Sequence, residues 1–205
     1  MTAEQMVDHW WWRPGWRTGR RMYTWHVTFD NQPAIHDLAA RYQAKLAGLP
    51  GLDLIPAKWL HLTTQSVGFT DVVPDRDVDA IINATSERLA ALPPITATLG
   101  PATVTPEAIL LDVAPLDDLR RVRAELRAAI FAVWGAERLM EDADWTPHVS
   151  VAYSNSNAPA AEYIAAVAGE DTGQAIIDRV RLIVLGRDQR MYEWTTRADV
   201  PLRGT

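Results

Sequence analysis

Apolar residues recur at two different periods along this 205-residue chain, and the switches between them predict its elements. Alternating positions rich in aromatic and β-branched side chains predict strands over 22–30 and 59–69. Between them Ile35, Leu38, Tyr42 and Leu46 recur at helical spacing, which predicts a helix over 34–47 ending at Gly48 and Pro50. A second helix is predicted over 75–92, stopped by Pro93-Pro94. The order then repeats. Strands are predicted over 95–104 and 107–113, followed by an amphipathic helix marked by Leu116, Leu119, Val122, Leu126, Ile130 and Val133. A strand over 147–153 and a helix over 159–168 come next, and strands over 176–185 and 191–198 close the chain as a hairpin across 186–190. A short helix over 2–12, capped by Thr2 and stopped before Pro14, is expected at the start. The pattern is thus two successive β-α-β units, with their joint at 92–100.

Composition narrows the class. A content of 48% hydrophobic and 22% charged residues is that of an ordinary globular protein, long enough for one large domain or two small lobes. Cysteine is absent, which excludes a disulfide framework, a thiolate metal site and a cysteine nucleophile. Apolar runs such as 128–134 are too short to span a bilayer, and the first residues lack the apolar core of a signal peptide, so a cytoplasmic location is the expectation. The formal charge of −6 argues against a protein that coats long nucleic acid through its overall field. It leaves room for a small phosphate ligand in a local basic pocket. Only Lys45 and Lys58 are lysines, and the other 18 basic residues are arginines. Arg13, Arg17, Arg20 and Arg21 fall within 9–29, a segment without acidic residues. Because guanidinium binds phosphate bidentately, this is a candidate anion-facing surface; the alternative is a solvated segment, or one paired with acids elsewhere.

Candidate chemistry sits in three tripeptides with a histidine two positions before a hydroxyl residue: His26-Val27-Thr28, His61-Leu62-Thr63 and His148-Val149-Ser150. In a strand the i and i+2 side chains share a face roughly 6.6 Å apart, placing imidazole beside hydroxyl. Two such pairs around one pocket supply two proton-transfer groups and two hydrogen-bond donors, an inventory suited to phosphodiester cleavage. With five histidines in the chain the tripeptide alone is a weak signal, and position decides which copies belong together. His61 follows the strand near Tyr23 at almost the interval by which His148 follows the strand near Ile109, so these two occupy equivalent places in the duplicated units. His26 aligns with Asp112 or Val113 and lacks a counterpart. A structural role is expected for it. For His61 and His148, two half-buried strand histidines bonded to nearby hydroxyls are the bland alternative, which a matched pair disfavours. No Gly-rich phosphate loop, H-E-x-x-H or G-x-S-x-G elbow competes with this reading.

Through His61-Leu62-Thr63-Thr64-Gln65 and Trp145-Thr146-Pro147-His148-Val149-Ser150-Val151-Ala152-Tyr153, the chain resembles the two-histidine (2H) phosphoesterases, in particular the bacterial 2′-5′ RNA ligase-like group. The likeness spans nearly the whole chain except the Trp/Arg-rich extension at 1–19. It implies an α+β fold: one bilobal domain over 1–205, with two antiparallel sheets, helices outside and a central cleft lined by both motifs. Lobe one would cover about 20–92 and lobe two about 105–170, with strands in 176–198 completing the sheets. It also implies metal-independent, cofactor-free cleavage, or in reverse ligation, of 2′-linked phosphodiesters. Substrates of the group include 2′,3′-cyclic phosphates, 2′-5′ linked RNA and a cyclic phosphate derived from ADP-ribose. His61 and His148 would be the general acid and base, in an order the sequence leaves open, while Thr63 and Ser150 would donate hydrogen bonds to non-bridging oxygens. The expected partner is a nucleotide or RNA end bearing a 2′-linked or cyclic phosphate, bound by a monomer without metal or membrane.

Gln65, His26, Trp145, Tyr153 and Arg20 make up the wider set of candidate substrate contacts. Gln65 shares the face of His61 and Thr63 in a regular strand, with simple sheet hydrogen bonding as its alternative. Tyr153 would face away from His148 and Ser150 unless a bulge intervened, so core packing is expected. Trp145 and Trp59 flank the motifs and could stack a base. The run Trp10-Trp11-Trp12 cannot all be buried on one helix face; packing across a lobe is expected, with part of a ligand or partner surface as the alternative. Asp117-Asp118 and Glu141-Asp142 read as helix-start charge or solvated loop rather than metal ligands. Two other readings stay open: a non-catalytic module that captures a nucleotide or RNA end in the same cleft, and a phosphodiesterase for a small substrate that is not RNA.

Overall fold

The helical stripes read from the sequence are buried faces, apart from exposed Leu116 and partly buried Val133 at the ends of theirs, in the computed structural model, which describes residues 3–135, 138–139 and 145–204. Thr2 and the Glu141-Asp142 pair lie outside the described residues. In chain order the elements are β1 (Gln5–Met6), β2 (Met22–Thr28), α1 (Pro33–Leu46), β3 (Leu52–Leu54), β4 (His61–Phe69), α2 (Asp75–Leu89), β5 (Ile95–Val104), β6 (Ala108–Ala114) and α3 (Leu116–Trp134). They continue with β7 (His148–Ser154), β8 (Ala158–Pro159), α4 (Ala161–Val167), β9 (Gly173–Ile177), β10 (Arg179–Gly186) and β11 (Glu193–Pro201). Pro33 opens α1 at a position where its missing N–H costs nothing. Asp75 and Asp77 in α2, and Asp117 and Asp118 in α3, place negative charge at the positive end of each helix dipole. Among the described residues no helix is long and apolar enough to cross a membrane.

The strands form two main antiparallel sheets, ordered β11-β10-β2-β4 and β3-β7-β6-β5-β9. This is the mixed α+β architecture with a cleft between two sheets that the resemblance implies. The helices are exchanged between the halves. α1, which links β2 to β4 of the first sheet, packs against β7, β9 and α4 on the second. α3, which links β6 to β7 of the second sheet, packs against β4 of the first and pairs with α2. One apolar core consequently runs through both lobes, from Trp25 and Leu62 to Leu111 and Val149.

Two of the predicted elements differ. Of the segment expected as a helix over 2–12, the described residues 3–12 are not helical: Ala3 N–H donates to Val104 O, Val7 N–H to Pro106 O and His9 N–H to Ser154 O, while Gln5 and Met6 pair with Pro159 and Ala158. Extended backbone that finds partners on distant strands overrides local helix propensity. The single strand expected over 176–185 is two. The chain leaves the second sheet after β9 and enters the first with β10, turning at Asp178, whose carbonyl accepts from Leu202 N–H at 2.7 Å.

The feature that aims the motifs is a pair of β-bulges. In β4 the partner assignment slips between His26↔Thr63 and Trp25↔Gln65, leaving Thr64 as the extra residue. In β7 it slips between Leu110↔Ser150 and Ile109↔Ala152, leaving Val151 extra. Both bulges stand three residues after the motif histidine, so the duplication includes them. A bulge frees a carbonyl from its ladder, and these are buried. Arg123 Nε on α3 donates to Thr64 O at 2.9 Å. Gln43 Nε2 on α1 donates to Val151 O at 2.9 Å, and that carbonyl also accepts from Ile55 N–H. Each exchanged helix thereby holds the bulge of the sheet it covers. Gln43→Leu is expected to lower unfolding free energy by about 0.5–1.5 kcal/mol per bond lost, to Val151 O and to Ile55 O; a urea midpoint unchanged from wild type would show that neither carbonyl depends on it.

Candidate active site

The two sheets meet where β4, an edge strand, comes against β7. Trp145 Nε1 ties them by donating to Thr63 O at 3.1 Å. A cleft of about 510 Å³ opens there, lined by His61, Thr63, His148 and Ser150 together with Ser66 and Tyr153. Ring nitrogen Nδ1 of His61 lies 2.8 Å from Trp59 O, and Nδ1 of His148 lies 2.9 Å from Thr146 O. A carbonyl can only accept, so both rings carry hydrogen on Nδ1 and keep Nε2 for the cleft. Burial pushes the His61 imidazole down to about 4, opposed by the Trp59 carbonyl and reinforced by His148, so this ring is neutral at neutral pH.

The bulges decide which further side chains reach the cleft. Beyond Thr64 the alternation inverts, turning Gln65 to the far face, where its Oε1 accepts from Arg127 Nη1 at 3.1 Å. Ser66 takes its place in the cleft. The same inversion at Val151 brings Tyr153 onto the face of His148 and Ser150, the reverse of its expected orientation in a regular strand. Burial, with the Tyr192 hydroxyl beside it, holds the Tyr153 phenol protonated well above its usual range.

His26 lies beneath the floor. Its ring is fully buried and stacks on His61 with centroids 4.4 Å apart and planes at 8°. By register it faces Thr63, and the residue facing Ser150 is Leu110, so Leu110 and not Asp112 or Val113 is its counterpart. Trp145 is spent on the tie between sheets, with Arg123 over its ring, and does not line the cleft. Arg20 is also placed elsewhere: its guanidinium binds both oxygens of Asp71 and lies 3.6 Å over the Phe69 ring. Arg17 joins the same carboxylate and Arg21 pairs with Asp188 at 2.8 Å. Most of the acid-free segment is thus paired with acids elsewhere. Trp59 stands near the site, edge-on to Trp194, which in turn sits edge-on to His61.

Sequence reasoning missed the strap that walls the cleft. His9, Arg13, Pro14 and Trp16 line it from one side, and Glu107 holds the strap down. That carboxylate accepts from His9 Nδ1 at 3.0 Å, Trp11 Nε1 at 2.9 Å and Arg13 Nη2 at 2.5 Å. Although burial opposes its ionisation, the Trp11 and Arg13 contacts hold the Glu107 carboxyl below its usual range. His9 also stacks on Tyr153 and meets Tyr192 Oη through Nε2 at 3.0 Å. The strap turns at Gly15, whose φ of +81° favours glycine and where a Cβ would meet Phe69 Cε2 at 2.7 Å. Of the tryptophan run Trp10 packs inward, its indole N–H on Asp53, whereas Trp11 and Trp12 stay exposed. Among the described residues no three His, Asp or Glu side chains converge as a metal cage would require.

Residues 29–189 match the family model described as the 2′-5′ RNA ligase superfamily. None of the curated proteins matches the chain. Among solved structures the chain is similar to TT0787 of Thermus thermophilus, at 21% identity and a TM-score of 0.69 over 89% of this chain and 98% of that one. It is also similar to E. coli LigT complexed with NADP+, at 13% identity and a TM-score of 0.65 over 90% and 99% of the two chains. The PDE domain of MHV ns2 aligns at 13% identity and a TM-score of 0.56, over 81% of this chain and 99% of that domain. At these identities the structural likeness speaks for the fold.

Three buried imidazoles share one consequence. Burial lowers His9 to about 4, as it does His61, and depresses His26 well below its ordinary value. The unfolded chain therefore binds protons that the folded one refuses, and stability is complete above about pH 6.5 and lost as pH falls toward 4. Each histidine contributes a slope of up to about 1.4 kcal/mol per pH unit in that window. Denaturant midpoints are expected to drop between about pH 6.5 and 5, before carboxylates protonate appreciably; midpoints that stay level across it would contradict the three depressed imidazoles.

Proposed function

The chain belongs to the 2′-5′ RNA ligase superfamily and is a two-histidine phosphoesterase, and we propose that it cleaves, or in reverse joins, 2′-linked phosphodiesters of nucleotides or RNA ends through His61 and His148, without a metal. The observation that carries this reading is the matched anchoring of the two rings. In each, Nδ1–H is held by the carbonyl two residues upstream and Nε2 is left to one shared cleft.

The neutral state of His61 suits it to begin as the base in the hydrolytic direction. Its Nε2 takes a proton from the attacking water as the new O–P bond forms. His148 gives a proton to the ester oxygen as that oxygen's bond to phosphorus breaks. The two rings end with exchanged protonation states, and joining follows when the hydroxyl of a second nucleotide takes the place of water, attacking a cyclic phosphate whose ring ester oxygen leaves with the proton from His148. Thr63 and Ser150 donate hydrogen bonds to the non-bridging oxygens, where charge develops. Arg13, fixed by Glu107 at the wall, adds a cation facing the same space.

The cleft suits a small substrate better than a long strand. Its volume of about 510 Å³ is in the range of small-molecule sites. Arg17 and Arg20 share Asp71 and Arg21 pairs with Asp188, which leaves this stretch only a small net charge to offer an extended backbone. Captured nucleotides would meet aromatic walls at Trp16, Tyr153 and Tyr192.

His61→Ala and His148→Ala are each expected to lower kcat on 2′,3′-cyclic nucleotides by roughly 10²–10⁴-fold with circular dichroism unchanged, and chelator to leave wild-type activity intact. Undiminished turnover in either variant would sink the two-histidine mechanism, and loss with chelator its independence of metal. In a substrate panel, kcat/KM should be higher for 2′,3′-cyclic mononucleotides than for 2′-5′ joining or cleavage of tRNA halves; the opposite ranking would reassign the cleft to RNA ends.

A further inference from the structure

His26 lies against the cleft's base, and the proposed chemistry does not use it. It lies wholly buried under His61, with Nε2 3.2 Å from Thr63 Oγ1. Its other nitrogen, Nδ1, has no hydrogen-bond partner among the described residues. A neutral imidazole carries a single N–H, and that hydrogen has two places to go. On Nδ1 it would be a buried donor with nothing to bind, among the costliest of unsatisfied groups, and Thr63 would have to spend its own hydroxyl hydrogen on Nε2. On Nε2 the hydrogen meets Thr63 Oγ1, and only a lone pair goes unmatched.

We propose that His26 is a positioning residue: its Nε2–H donates to Thr63 Oγ1, so the Thr63 hydroxyl hydrogen turns outward and is given to the substrate's phosphoryl oxygen. A hydroxyl can accept one bond and donate another, and accepting from His26 fixes which of its directions remains for the ligand. The stacking on His61 adds a reason for His26 to stay neutral, since a second charge face to face with the proton-accepting ring would oppose the proton transfer. Burial acts in the same direction, keeping the ring below its ordinary titration range, with the charge of His61 second. The other lobe reaches the same end by another route. Leu110 stands where His26 would be, and the bulge instead swings the Tyr153 phenol onto the face of the Ser150 hydroxyl. Two non-equivalent side chains thus back the two equivalent hydroxyls.

The role given to Thr63 rests on the proposed function, but the tautomer of His26 does not, and the two can be tested apart. Long-range ¹H–¹⁵N correlation spectra of the ¹⁵N-histidine-labelled wild-type protein, without substrate, report which ring nitrogen carries hydrogen. His26 is assigned by its contacts to the His61 ring, so no variant has to fold. The Nε2–H form is expected at neutral pH; an Nδ1–H form or a doubly protonated ring overturns the proposal. Kinetics supply the second arm. His26→Phe keeps a flat ring under His61 and removes the donor, and is expected to lower kcat roughly tenfold. His26→Gln, whose amide can donate to Thr63, should recover part of that loss. In a Thr63→Val background His26→Phe should cost nothing further, whereas equal losses in both backgrounds would make His26 a packing residue only. If the wild-type protein turns over no 2′-linked phosphodiester, the proposed function falls while the spectrum still decides the hydrogen's place.

Discussion

Two buried backbone carbonyls, Thr64 O and Val151 O, set the terms for the rest of this molecule. Each is released from its sheet by a bulge, and a carbonyl in that position must find a donor or destabilise the fold. The donors come from helices that belong, in sequence, to the other half: Arg123 on α3 and Gln43 on α1. Exchange of helices, continuity of the core and aim of the motif strands are therefore one arrangement. Undo the exchange and Thr64 O loses the Arg123 donor while Val151 O is left with Ile55 N–H alone. Straighten the bulges and Gln65 replaces Ser66 in the cleft while Tyr153 leaves it.

The electrostatics of the cleft follow from its depth. His61 sits with His26 against its face and with the edges of Trp194 and Tyr192 near it, an environment with little water to stabilise a cation. A base that is easily kept neutral is ready to accept, and it returns the proton readily. His148 is more exposed than its partner, so the pair is symmetric in backbone and asymmetric in surroundings. Separation of the two roles can arise from that asymmetry without any difference in motif.

Periodicity made the helices and most strands readable, because burial of one face is what periodicity records. It also picked out His61 and His148, through the repeat rather than the tripeptide. The bulges were harder. Thr63, Thr64, Gln65 and Ser66 are all polar, so nothing in that run says which of them turn inward; in the second strand the adjacent apolar pair Val151-Ala152 was the readable sign of a slip. The break at Asp178 left a trace too, since the buried positions change from odd, Ala175 and Ile177, to even, Val180 and Leu182. The strap left none. Its backbone partners are Val104, Pro106 and Ser154, and its anchor is Glu107, residues roughly a hundred or more positions away that no local window contains. Arg20 and Trp145 misled because composition tells which residues can bind phosphate or stack a base, not which already have a partner.

The strap and the floor of the cleft stand in different relation to the family match. The family match covers 29–189, so the wall carrying His9, Arg13 and Trp16 stands outside it, while the floor carrying both motifs stands inside. Floor and wall are attached by different means. The floor is woven into two sheets, whereas the wall is held by backbone bonds to Val104, Pro106 and Ser154, by the Glu107 carboxylate and by Arg187 on the carbonyls of His9 and Trp11. A cleft made this way has a fixed bench and an exchangeable jaw: redrafting a dozen residues before β2 would alter what is gripped, and the proton-handling bench would be left as it is.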